Sequence, residues 1–200
     1  MADLRTAEGI GERIQAARKL RGMRSAQELA RAVGNATVTE SIVANIETGR
    51  KADLSVSQLL NIAFALELSP TSLLAALGDP DRKMDLPNLS DGVAKLTSLE
   101  FDSWLSSRTD GPLIWGTATE ETERNQLQAL RELDHQVRER NRLGGVLALE
   151  YEAPVTPREM EQRQLWDTTE ERLQRAIFRI GQLETYLASA GWDLGAWAEG

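Results

Sequence analysis

Residues 25–50, SAQELARAVGNATVTESIVANIETGR, read as two short amphipathic helices joined by a turn. In the first, over 26–33, Leu29, Ala30 and Val33 fall on one stripe of a 3.6-residue helix. Gly34 stops it, because glycine takes the left-handed conformation after a helix at little cost. The second helix runs to about Thr48 and turns Ile42 or Val43 inward together with Ile46. Two residues are candidates for its N-cap: Thr37, which has Glu40 at the spacing of a capping box, and Thr39. Gly49 ends it, and Arg50 and Lys51 follow. Its open face carries Glu40, Ser41, Ala44, Asn45 and Thr48, short and mostly polar side chains that let a helix backbone come close to a groove edge.

Helices this short are unstable alone and need neighbours. The flanking sequence supplies three. Residues 10–21 predict a helix with Ile10, Ile14, Ala17 and Leu20 or Arg21 on successive turns, broken by Gly22. Ser55 and Gln58 have capping-box spacing and open a helix that turns Leu59, Ile62, Ala63 and Leu66 inward. Ser69-Pro70 pairs an N-cap with a proline at the first helical position, ahead of Leu73, Leu74 and Leu77, and Gly78 closes the helix. Five short helices make residues 1–78 a compact all-α domain.

Four pieces carry a resemblance: RKLRG with Arg18 and Gly22, ELARAVG at 28–34, IETGR at 46–50, and SVSQLLNIAFALELSPTSLL at 55–74. Through them residues 10–77 resemble the Cro/CI-type (XRE) helix-turn-helix family of DNA-binding domains. The resemblance implies a five-helix, lambda-repressor-like domain with its third helix in the DNA major groove. It also implies an ion pair between Arg18 on the first helix and Glu47 at the end of the third. Gln27 or Ser25 would then touch the DNA backbone, and Thr39, Glu40, Ser41, Asn45, Thr48, Arg50 and Lys51 would face the duplex. The chain departs from the family pattern in a longer turn, around Asn35-Ala36-Thr37, and in one residue near Arg24.

The residue types suit those roles. Amide groups at the N-termini of the second and third helices can meet phosphate oxygens. Arg50 and Lys51 can do so as cations, with Arg24 and Arg21 as further candidates. Asn45 can pair bidentately with adenine, Ser41 with several base edges, and Glu40 with a cytosine amine. The whole-chain charge of −8 argues the other way at first sight. Its distribution removes the objection. Residues 1–78 hold nine Lys/Arg against eight Asp/Glu, whereas the rest holds 14 against 23. A nearly neutral domain binds DNA when its basic groups share a face.

Beyond residue 78, DPDRKMDLPNLSDG at 79–92 has the composition of a linker, and 93–200 reads as a mainly helical region for oligomerisation or partner binding. Thr97 with Glu100 caps a short helix holding Leu99, Phe101, Trp104 and Leu105, followed by a loop at 107–118. Thr117 with Glu120 caps a long, charged helix to about Leu143, with Leu127, Leu130, Leu133 and Val137 on its apolar side. Gly144-Gly145 ends it, and VLALEYE at 146–152 reads as a short strand or extended connection. Thr156-Pro157-Arg158-Glu159 starts a helix running as far as Ala190. Its second half carries Leu173, Ala176, Ile177, Ile180, Leu183 and Leu187, a coiled-coil-like seam buried either in a hairpin of long helices or in a homodimer.

No catalytic residue, cofactor or metal site is implied. The chain has no cysteine. Its single histidine, His135, shares a helix face with Glu132 and Glu139, but a di-iron bundle needs two Glu-x-x-His motifs and the chain has one. GIGERI at 9–14 lacks the third glycine of a dinucleotide loop and follows no strand. The start has no apolar signal region, and the longest apolar run, LLNIAFALEL, is too short to span a bilayer, so a cytoplasmic location is expected. The sequence therefore leads to a sequence-specific transcriptional regulator, a repressor of bacterial or phage type. The alternatives are an antitoxin-like protein whose C-terminal region binds a partner protein, and a phage immunity repressor with extra C-terminal DNA contacts.

Overall fold

The structure, a computed structural model, describes residues 3–51, 53–112, 117–152 and 168–195. Among these residues every regular element is a helix, apart from one isolated antiparallel bridge between Lys83 and Thr97. The chain divides into two units, Met1–Ile114 and Trp115–Gly200.

The first unit begins with α1 (Gly9–Leu20), α2 (Ala26–Val33), α3 (Glu40–Glu47), α4 (Val56–Ala65) and α5 (Pro70–Leu74). Their apolar stripes meet in one core of Ile10, Ile14, Ala17, Leu29, Val38, Val43, Ile46, Ile62, Ala63, Leu66 and Leu73. Leaving water stabilises each large aliphatic side chain here by roughly 1.5–3 kcal/mol, which is what holds helices of eight to twelve residues in place. Val43, not Ile42, is the fully buried residue of α3. Leu20 and Arg21, the two alternatives for the last inward position, are both exposed, Leu20 to 66%, because α1 ends there and its last inward turn is filled by Ala17 and Arg18.

The boundaries follow local chemistry. Ser25 accepts the Glu28 amide at the start of α2, while the Glu28 carboxylate reaches back to the Arg24 amide. Gly34 closes α2 at φ +64°, the left-handed region glycine occupies readily. Ser55 and Gln58 form a reciprocal capping box on α4. Of the two candidate caps for α3, Thr39 is the one used, with its hydroxyl accepting the Ile42 amide at 3.4 Å. Thr37 instead joins a tight turn, its amide and hydroxyl both donating to Asn35 Oδ1. That turn places Val38 in the core.

Residues 79–92 are not a free linker. The Arg13 guanidinium on α1 is fully buried and donates to Leu73, Leu74 and Ala7 carbonyls and to both carboxylate oxygens of Asp85. The Gly9 amide donates to Asp85 as well, at 2.8 Å. Burial alone would push the Asp85 carboxyl up, but the Arg13 and Gly9 hydrogen bonds and the charges of Arg13 and Arg82 outweigh it and hold the group below its ordinary range. Two further helices, α6 (Asp91–Ala94) and α7 (Ser98–Leu105), complete the unit. Phe101 of α7 packs with Met84 and Ala75, and the Thr97–Glu100 capping box starts α7 as its sequence predicts. The first unit therefore extends past residue 78 as a single body.

The second unit is a hairpin of α8 (Ala118–Glu152) and α9 (Thr169–Ser189). Glu132 pairs with Arg179 and Glu139 with Arg172, so the helices run antiparallel. The hydrogen bond from Arg142, with the charge of Arg172, holds the Glu139 carboxyl down to about 2. Ile180, Leu183 and Leu187 of the predicted seam bury against Ala129, Leu133 and Val137 of α8, and Ala176 is buried as well, so the seam is filled within one chain, while Ile177 stays exposed. Gly144-Gly145 does not end α8, and 146–152 is helical rather than extended. Packing overrides two glycines that each disfavour the helix by about 1 kcal/mol. Leu143 is buried, and Glu150 accepts a hydrogen bond from Thr169 of α9. The predicted start at Thr156 lies outside the described residues, and α9 opens on a Thr168–Glu171 capping box. No helix among the described residues is long and apolar enough to cross a membrane.

Candidate nucleic-acid interface

Helix α3 buries one side and leaves the other open. Val43 and Ile46 lie in the core, whereas Glu40, Ser41 and Thr48 are exposed and Ala44 and Asn45 are half-buried. The side chains at the open face are those the sequence placed there. Beside them, Gln27 on α2 and Thr39 at the α3 cap are exposed. Thr39 satisfies one amide at the start of α3. Among the described residues the amides of Glu40 and Ser41 have no acceptor, as is usual in the first turn of a helix.

At the other end the chain turns back over the helix. Gly49, at φ +71°, lets its amide reach Ile46 O and the Lys51 amide reach Asn45 O. This return brings Lys51 alongside the base of Asn45, and Arg50 is exposed beside it. The Thr48 hydroxyl is already engaged, donating to Ala44 O and accepting from Arg50 Nε, so it serves the helix terminus more than the open face.

Helix α1 fixes this end of α3 from behind. Arg18 Nε and Nη2 donate to the two Glu47 oxygens at 2.6 and 2.8 Å, and Nη1 donates to Met23 O. Both side chains are 6% exposed. The Glu47 hydrogen bond raises the Arg18 pKa against the opposing effect of burial. The Arg18–Glu47 pair implied by the resemblance is present. Sequence reasoning missed a second tie: α1 crosses α3 at Gly11, where an added methyl would overlap the Ile46 carbonyl oxygen. The fragment GIGERI carried that signal, as a glycine inside an amphipathic helix with no turn to explain it.

The further candidate cations differ in their surroundings. Arg21 donates to the Leu66 and Glu67 carbonyls and pairs with Glu67, closing the C-terminus of α4. Ser25 is likewise occupied as an N-cap. Arg24 and Arg31 are exposed, with no ion pair among the described residues. In the second unit, Glu132 and Glu139, which flank His135, are engaged by Arg179 and by Arg142 and Arg172. No protein-family model, curated protein or solved structure matches the chain.

Proposed function

We propose that the first unit is a lambda-repressor-like, sequence-specific DNA-binding domain and that the protein regulates transcription, most simply as a repressor. One observation carries the reading: α3 is anchored on its inner side and pinned at its last turn by a buried bidentate ion pair, while its outer side offers short hydrogen-bonding side chains flanked by Arg50 and Lys51. A helix held that rigidly with its polar face uncovered fits a major groove, about 12 Å wide. Asn45 and Ser41 read base edges in this account, and Glu40 accepts from a cytosine amine. Arg50, Lys51 and the free amides at the start of α3 meet phosphates, with Gln27 at the backbone. No catalytic step is part of this reading.

Selection from a pool of random-sequence duplexes tests it. The expected result is a defined motif bound with an affinity that falls steeply with salt. Recovery of no motif contradicts the proposal.

A second reading, an antitoxin-like partner-binding protein, is supported by the hairpin, where Leu149, Tyr151 and Phe178 stand exposed. Co-purification of a neighbouring gene product in fixed stoichiometry would favour it. A homodimer through these helices would use their outer faces, because the 173–187 seam is already filled by α8.

A further inference from the structure

Helix α1 has two working sides. Gly9 and Arg13, on one side, bind Asp85. Gly11 and Arg18, seven residues and two turns apart on the opposite side, meet the last turn of α3. At Gly11 the meeting is backbone to backbone. A Cβ there would overlap Ile46 O and stand 3.2 Å from the Ile46 carbonyl carbon and 3.5 Å from the Glu47 Cα, none of which can rotate away. The conformation of Gly11 does not itself call for glycine, since its φ is not positive. Glycine inside a helix is disfavoured relative to alanine. The one feature of the fold that calls for glycine here is the close approach. Gly9 and Gly22, at the two ends of the same helix, have open space where a Cβ would stand.

We propose that Gly11 is a positioning residue for α3: by letting α1 rest directly on the Ile46–Glu47 backbone, it sets the pitch at which Asn45 and Ser41 are presented. Gly11 faces the buried side of α3 and touches no ligand. Its influence passes through the backbone that carries Asn45, one residue before Ile46. A methyl at Gly11 forces that turn outward, while Arg18 holds the Glu47 side chain in place, so the turn tilts. Bidentate base pairing is directional and fails on such a tilt, whereas phosphate contacts through flexible Arg50 and Lys51 side chains follow it. The inference rests on the DNA-binding reading and adds the residue that aims the helix.

The test uses the full chain, a duplex recovered from random-pool selection with the wild-type protein, and a scrambled duplex of equal length. Gly11→Ala is expected to melt cooperatively and to bind the scrambled duplex as the wild type does. Its preference for the selected duplex should fall by about tenfold or more. An unchanged preference overturns the proposal, and so does an equal loss on both duplexes accompanied by a lower melting temperature, which marks a purely structural role. Should Gly11→Ala fail to fold, Arg18→Lys loosens the neighbouring contact by which α1 holds the same last turn of α3, without crowding it. The same selective loss is then expected, and unchanged preference again overturns the proposal. A wild-type protein that yields no selected duplex is a separate outcome, which removes the DNA-binding reading and this inference with it.

Discussion

Arg13 and Arg18 are five residues apart on α1, both buried, and each neutralised from a different part of the chain. The second pairing was legible, because the IETGR piece and the first helix both resemble a family that pairs these positions. The first was not, since nothing in LRTAEGIGERI marks Arg13 as buried: its partner Asp85 lies 72 residues away in a stretch whose composition reads as linker. A buried guanidinium left unpaired is far more costly than the intact pair is favourable. Asp85→Asn should therefore destabilise the first unit by about 3 kcal/mol or more, read as a lower urea midpoint at neutral pH. The sign with acid follows from the lowered pKa. Asp85 contributes fully above its ordinary value of 3.8 and loses that contribution as pH falls through its lower folded value. Wild-type stability should thus drop more steeply than that of Asp85→Asn below about pH 4. Parallel pH curves would show that the pair does not form.

At the scale of elements, helices with strong end signals were legible and those defined by packing were not. The Ser55 and Thr97 capping boxes and Gly34 fixed their boundaries to within a residue or two. The glycine pair of α8 misled, because two local penalties of about 1 kcal/mol each are outweighed by burial that only the partner helix reveals. Both glycines have open space around the missing Cβ. Gly144→Ala and Gly145→Ala should each stabilise the hairpin by roughly 1 kcal/mol, raising its thermal midpoint, and a lower midpoint would place a break in α8 there. Ile180, expected at either an interface or a core, is covered by α8. Ile180→Glu should therefore abolish the helical signal of the hairpin in circular dichroism. Retained helicity with a change only in sedimentation would mean that the seam meets a second chain.

At the scale of the molecule, an all-α chain in two parts was legible from periodicity and charge, but the division was read at a linker over 79–92, whereas the structure keeps that stretch in the first unit and divides after 114. Linker composition, prolines and mixed charge, is shared by the irregular segment that carries Asp85 and Met84 onto the first unit. A fragment of residues 1–114 should unfold in one cooperative thermal transition. A fragment of 1–78, which leaves Arg13 buried without its carboxylate, should be less stable by several kcal/mol or lack a transition. Equal stability of the two fragments would restore the earlier boundary.

The central claim is that α3 reads DNA while Arg50 anchors it, and titration of Asn45→Ala and Arg50→Ala on selected and scrambled duplexes over a range of salt tests it most directly. Asn45→Ala should lose about 1–3 kcal/mol on the selected duplex alone and relax preference at one base pair. Arg50→Ala should weaken binding to both duplexes and lower the salt slope by about one unit. If neither substitution changes binding to either duplex, α3 does not enter the groove and the account is contradicted.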